Sequence, residues 1–414
     1  MKQPRIFGLA GLALALLVWG QYATSTSAQM APSVAEGAQT PQQAKPPAVP
    51  AVCGQINIVS SPNVGTAGNY LAGVSALNGS DAWAVGAYGS GNAFQTLTEH
   101  WDGTAWSVVS SPNPGTNDNQ LKAVSALTSN DVWAVGYSAT GGAQYTLAEH
   151  WNGTVWSVVP SPNGGGNSSL VSVSARASND VWAVGAYYNV ANTFVTLVEH
   201  WNGTAWAVES SPSPGNSDNY LVSVSALASN NVWAVGYYAN GSIHQTLVEH
   251  WNGTAWSVVT SPSPGSNNNF LQGVSALASN DVWAVGYYVS GSTDQTLVEH
   301  WNGTAWEVVL SPNIGTANNA LNGVSARASN DVWAVGLYYN GGVAQTLAEH
   351  WDGTAWSVVP SPPPGTGVNY LTSVSALASN AVWTVGAYSS NNFSPAQTLV
   401  EQYGGSCGNP TPTG

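Results

Sequence analysis

The sequence predicts an all-β fold: a seven-bladed β-propeller of four-stranded antiparallel blades, with the ring closed by the N-terminal strand. Three observations carry this expectation. First, a VWAVG-type core recurs with its tryptophan at Trp83, Trp133, Trp182, Trp233, Trp283, Trp333 and Trp383, in steps of 50, 49, 51, 50, 50 and 50 residues. Self-similarity at this period marks a propeller or solenoid, in which no unit can bury its apolar face alone. Second, every unit divides into four β segments and none shows a convincing helical period. Third, one repeat is split between the two ends of the chain, which a closed ring explains and an open stack does not.

Taken in order, residues 1–28 read as an export signal. Lys2 and Arg5 precede a short apolar run over residues 6–20, and Thr26-Ser27-Ala28 offers small residues for cleavage. The run is short for a membrane span, which needs about 20 residues. An uncleaved anchor is the alternative. Residues 29–52, rich in Ala, Pro and Gln, read as an extended tether. The propeller is expected over residues 53–407, followed by a tail at 408–414.

Residues 221–262 show one unit clearly. LVSVSAL alternates and ends at the polar turn ASNN, and VWAVGYY is rich in β-branched and aromatic residues. A Gly/Ser/Asn loop leads to TLVEHW. Asn-Gly, or Asp-Gly in other units, then predicts a type I′ hairpin with both central residues at positive φ. TAWSVV is the fourth strand, and SPxPG ends it with prolines that cannot sit inside a ladder. The last unit stops at Tyr403 to Cys407 without a fourth strand. CGQINIVSSP, residues 53–62, is an orphan fourth strand: aligned on SSP, Ile56 takes the place of Trp106 and Val59 that of Val109. The only two cysteines, Cys53 and Cys407, flank this seam, so a disulfide between them is expected in an exported protein.

VWAVGYY, a loop, LVEHWNGTAWSVV and SPxP together resemble the kelch repeat of galactose-oxidase-type propellers, over residues 56–403. The double glycine of kelch is here a single one, at Gly86, Gly136, Gly185, Gly236, Gly286, Gly336 and Gly386. The resemblance implies a seven-bladed propeller of kelch-like or related bacterial secreted type, and no reaction. Copper oxidases of that superfamily need a Cys cross-linked to Tyr plus His ligands. Both cysteines here belong to the seam, so that activity and its cofactor do not carry over.

Only 6% of residues are charged, and six Lys and Arg face twenty Asp and Glu. Phosphate recognition relies on clustered cations, so nucleic acid and anionic membranes are not expected partners. Glu-His pairs recur from Glu99-His100 to Glu349-His350, but neighbours on a strand point to opposite faces and cannot chelate together. No metal site is expected; the glutamates should instead accept hydrogen bonds from backbone or indole N–H groups between blades. Asp81, Asp131, Asp180, Asp281 and Asp331 should cap turn backbone. The NGT triplets at Asn152, Asn202, Asn252 and Asn302 match a glycosylation acceptor. Asp102 and Asp352 fill the same slot elsewhere, so the turn explains the set better. Asp118 and Asp218, in equivalent loops, are the slender basis for a glycosidase-like carboxylate pair.

The turns between strands one and two, and three and four, are nearly identical in all units. The other two loop sets vary and share the opposite face of the disc, where a ligand is expected. There an Asn-aromatic pair recurs at Asn69-Tyr70, Asn219-Tyr220, Asn269-Phe270 and Asn369-Tyr370, while Asn119-Gln120 and Asn319-Ala320 depart from it. Amides beside aromatic planes suit sugars. The expected function is a secreted or cell-surface binding or adhesion module, monomeric, with a glycan or protein ligand on that face. The alternatives are a structural extracellular component and a polysaccharide-acting enzyme.

Overall fold

The computed structural model describes residues 54–378, 381–391 and 394–404. The segments read above as export signal, tether and tail, and both Cys53 and Cys407, lie outside the described residues. Twenty-eight strands form seven four-stranded antiparallel sheets. Blade one runs Asn69–Asn78, Asp81–Ser90, Ala93–Trp101 and Trp106–Val108 from the axis outward, and blades two to six repeat this order. In blade seven the outer strand is Ile56–Val59, paired with Gln397–Tyr403 in the register Ile56↔Tyr403 and Val59↔Val400. Ile56 is buried in the cluster of Trp333, Leu371 and Leu399. It occupies the place that Trp106, Trp156 and their equivalents hold in other blades, as the alignment on SSP predicts.

The second strand of each blade is covered on both faces, which is why VWAVG reads as an unbroken apolar run. Its glycine has a steric reason. A Cβ on Gly86 would collide with the carbonyl of Tyr70 on the inner strand. Two residues on, at Ala72 between Leu71 and Gly73, the inner strand bulges, and all seven inner strands do the same.

No blade has a core of its own. Each of seven apolar clusters takes one part from one blade and the rest from the next. Between blades three and four, for example, Trp182, Val184 and Val198 pack with Leu221, Val232, Leu247 and Trp256. The Trp182 ring lies 5.2 Å from Trp251 and 5.5 Å from Trp256. Nearer the axis, a serine of each inner strand accepts a backbone N–H from the next blade. Ser75 takes Ala126 N–H at 3.0 Å, and the circle ends with Ser375 taking Ala76 N–H at 3.1 Å. All seven interfaces carry this bond.

Three sequence expectations about polar residues need correction. The Asn-Gly and Asp-Gly hairpins are four-residue loops, closed by the pair Trp101↔Trp106, and only the glycine has positive φ (Gly103, +94°). The Asp102 carboxylate accepts Thr104 and Ala105 N–H at 2.8 and 2.9 Å, so a side chain replaces the second positive φ. Asp81 and its equivalents do not cap turn backbone. Each accepts the ring N–H of the following histidine, as in His100 Nε2 to Asp81 Oδ1 at 2.9 Å, and Asn231 does so for His250. The glutamates do lie between blades, but the partner of six of the seven is a serine hydroxyl of the preceding blade's SP turn. Ser61 donates to Glu99 at 2.7 Å and Ser211 to Glu249 at 2.7 Å. Glu99 faces Ala84 across the ladder while His100 faces Trp83, so the two side chains point apart.

The seven glutamates are 0% exposed. Desolvation pushes the carboxyl of Glu99, Glu149, Glu199, Glu249, Glu299 and Glu349 from 4.5 to about 8, and that of Glu401 to about 7. The folded chain therefore holds protons that the unfolded chain releases, and stability is present in full below about pH 4.5 and lost as pH rises through about 8. The melting temperature should fall across that window, and Glu249→Gln should make the fall shallower. A flat profile would contradict the assignment. Closure is tested separately: Ile56→Ala should cost about 2–5 kcal/mol in chemical denaturation, as for a buried core residue. An unchanged midpoint would mean that this strand does not complete blade seven.

Candidate functional site

The two variable loop sets share one face and interlock there. The loop entering blade two meets blade one, where the Phe94 N–H donates to Asp118 Oδ1 at 2.8 Å. Asp218 accepts Phe194 N–H in the same way at 2.9 Å, and Asn268 and Asn318 repeat the bond to His244 and Asp294. Asp118 and Asp218 are thus loop clamps in a repeated role that asparagine fills equally well. This engagement explains them without a catalytic pairing.

The inner-strand asparagines are also clamps. Asn69, Asn219, Asn269 and Asn369 are at most 1% exposed. Asn269 Oδ1 accepts Gly265 N–H at 2.7 Å while its amide donates to the carbonyls of Gly265 and Asn267. Asn69 and Asn219 hold their own loops similarly, and Asn369 donates to the carbonyls of Gly365 and Gly367. Their amides are engaged within their own loops and shape the rim from behind. The aromatics that follow them, Tyr70, Tyr220, Phe270 and Tyr370, remain partly exposed on the other side of the strand.

These four rings do not form a symmetric crown. Tyr70 donates its hydroxyl to Gln120 at 2.5 Å and packs edge-on to Phe94 at 5.9 Å. On the opposite side the rings join into an arc across blades three to five. Tyr188 meets Phe194 at 4.9 Å, Phe194 meets Tyr220 at 5.2 Å, and Tyr220 meets Tyr237 at 5.0 Å. Tyr237 and Tyr287 then flank Phe270, each at 4.8 Å, with His244 5.1 Å from Phe270. Burial raises the Tyr220 and Tyr237 hydroxyls well above the usual phenol value, and Asp218 adds to it, so both stay protonated hydrogen-bonding groups. Asp294 is raised by burial to about 6.

Two residues further along each inner strand lies the bulge, whose residue has no cross-strand partner. The bulges line an axial cavity of about 170 Å³ that touches all seven blades. This ring was missed in reading the sequence. A signal existed: between an invariant leucine and VSA, the bulge position holds Ala72, Lys122, Val171, Val222, Gln272, Asn322 and Thr372. Variation at one position inside a constant strand marks a place where the scaffold makes no demand.

No protein-family model matches the chain, and no curated protein matches it. Solved structures do. YCF48, in a structure bound to D1 peptide, superposes with a TM-score of 0.54 at 16% identity, covering 86% of this chain and 99% of that one. A protein of unknown function from Dyadobacter fermentans gives 0.48 at 10% identity, covering 84% and 98% of the two chains. The Aleuria aurantia lectin, in complex with Fucα1-6GlcNAc, gives 0.46 at 13% identity, covering 73% and 99%. At such identities the likeness to YCF48 is one of fold: this chain is a seven-bladed β-propeller.

Proposed function

We propose that the protein is a secreted or cell-surface binding module, acting as a monomer, that takes a glycan on its variable-loop face. The observation that carries this is the arc from Tyr188 to Tyr287. Six rings in mutual contact cover one side of the axis, on a scaffold whose seven units are otherwise nearly alike. The inner-strand positions that carry Tyr220 and Phe270 hold Ser169 and Ala320 in other blades, so the fold does not need rings there. Flat apolar faces with hydroxyls at their edges match the C–H faces and hydroxyls of a pyranose. The scarcity of charge favours a neutral polymer: only Lys122, Arg176 and Arg327 supply fixed cations among the described residues. A protein ligand is the second reading, favoured by the tyrosine-rich composition of the arc, since tyrosine is enriched at interface cores. The export signal and the kelch-like repeat type belong to this proposal and rest on the motifs of residues 1–28 and 56–403.

A glycan screen of the full chain should return at least one neutral oligosaccharide. Tyr220→Ala and Phe270→Ala should each weaken its binding by about tenfold or more, the loss expected of a central aromatic anchor. Thr254→Ala, on the opposite face, should bind as the parent does. Equal binding by all three variants would place the site elsewhere.

A further inference from the structure

The chain spends its charge sparingly, yet one cation stands at its axis. Lys122 is the only lysine among the described residues and occupies the bulge of blade two. Its Nζ donates to Gln120 Oε1 at 2.9 Å and lies 5.6 Å from the ring centroids of both Tyr70 and Tyr137. The same Gln120 oxygen accepts the Tyr70 hydroxyl, so glutamine and tyrosines hold the ammonium of a residue that lines the axial cavity. Desolvation lowers the amine to about 8, while the neighbouring Asp118 carboxylate pulls the other way. A cation in so confined a place carries a desolvation penalty. The other six blades use Ala, Val, Gln, Asn or Thr at this position, so closing the ring does not require it.

The rest of the bulge ring is divided. Asn322 and Thr372 donate to carbonyls of the next blade, at Leu371 (2.7 Å) and Leu71 (2.9 Å), and Ala72, Val171 and Val222 are apolar. Gln272, three blades from Lys122, lies on the far side of the seven-membered ring and also lines the cavity. The space of about 170 Å³ corresponds to roughly six waters by liquid volume. That is room for a small organic acid.

We infer that the axial cavity is a carboxylate site, in which the Lys122 ammonium receives the carboxylate of a small organic acid and Gln272 offers a neutral hydrogen-bonding partner across the axis. The acid could be free or the end group of a longer ligand; the shared chemistry is one carboxylate presented along the axis. This inference does not rest on the aromatic arc.

The chain has three lysines, Lys2, Lys45 and Lys122, so the full-length protein labelled in lysine can be read residue by residue by NMR. Below neutral pH and at constant ionic strength, sodium acetate and sodium glucuronate should each shift the Lys122 side-chain signals saturably. Lys2 and Lys45 should not move, and acetamide and glucose should have no effect. A response to acetate alone would identify the free acid as the ligand type, and a tighter response to glucuronate a sugar acid. In equilibrium dialysis with labelled acetate, Lys122→Met should weaken uptake by about tenfold or more, the loss expected when a charge-assisted bond is removed, whereas Lys122→Arg should retain it. A Lys122 signal indifferent to both acids, or equal uptake by Lys122→Met, would show the lysine to be only a brace between Tyr70 and Tyr137. The wild-type titration decides the matter even if a variant does not fold, and a glycan screen without hits leaves it unaffected.

Discussion

Every level of this structure depends on the interface between neighbouring blades. A four-stranded sheet of about forty residues has two apolar faces and no interior, so its tryptophans can be buried only by the sheets beside it. Trp133 illustrates the arrangement: it is 2% exposed because Trp201 and Trp206 of the next blade close over it at 5.0 and 5.3 Å. The requirement passes from blade to blade until it returns to its start. There Trp383 of blade seven packs with Leu71, Ala84 and Trp106 of blade one. An open arc would leave one such face uncovered, so closure follows from the burial requirement.

Polar groups at these interfaces are chosen to suit a dry, crowded setting. The serine circle near the axis pairs backbone N–H groups that no ladder reaches, and each such group left alone would cost about 1–3 kcal/mol. Farther out, the buried glutamates avoid the larger cost of a buried charge by holding their protons, as their raised carboxyls indicate. Glu149 differs from the rest: Ser111, which should serve it, donates instead to Thr96 at 2.7 Å. The histidines beside them point to the other side of the strand and bond the turn acids of their own blade.

Function is separable from this scaffold because the repeats are so alike. What all blades share is explained by packing, and what one blade has alone is not. The departures gather in two places, the aromatic arc at the mouth and the bulge ring around the axis, both on strands whose positions the shared interfaces already hold. A rigid frame carrying variable positions presents a ligand with preordered groups, which reduces the ordering penalty of binding. The seam obeys the same logic in reverse, since Ile56 departs from the tryptophan pattern where the N-terminal strand closes the ring.

The sequence alone determined the number of blades, the four strands in each, their order and the split repeat that closes the ring. These follow from period, alternation and turn residues, all local properties that survive without coordinates. It also placed Asn69, Tyr70 and their equivalents near the axis, but not their separate roles. Only the tertiary structure decided that the asparagines turn back into their loops, that Asp81 serves His100 nineteen residues later, and that Glu99 meets a serine of the preceding blade. It alone put Lys122 at the axis. The physical reason is register: a single-residue bulge after each inner-strand leucine reverses which side chains face the channel and which face the neighbouring blade. An alternating pattern of apolar and polar residues carries no mark of where that reversal occurs.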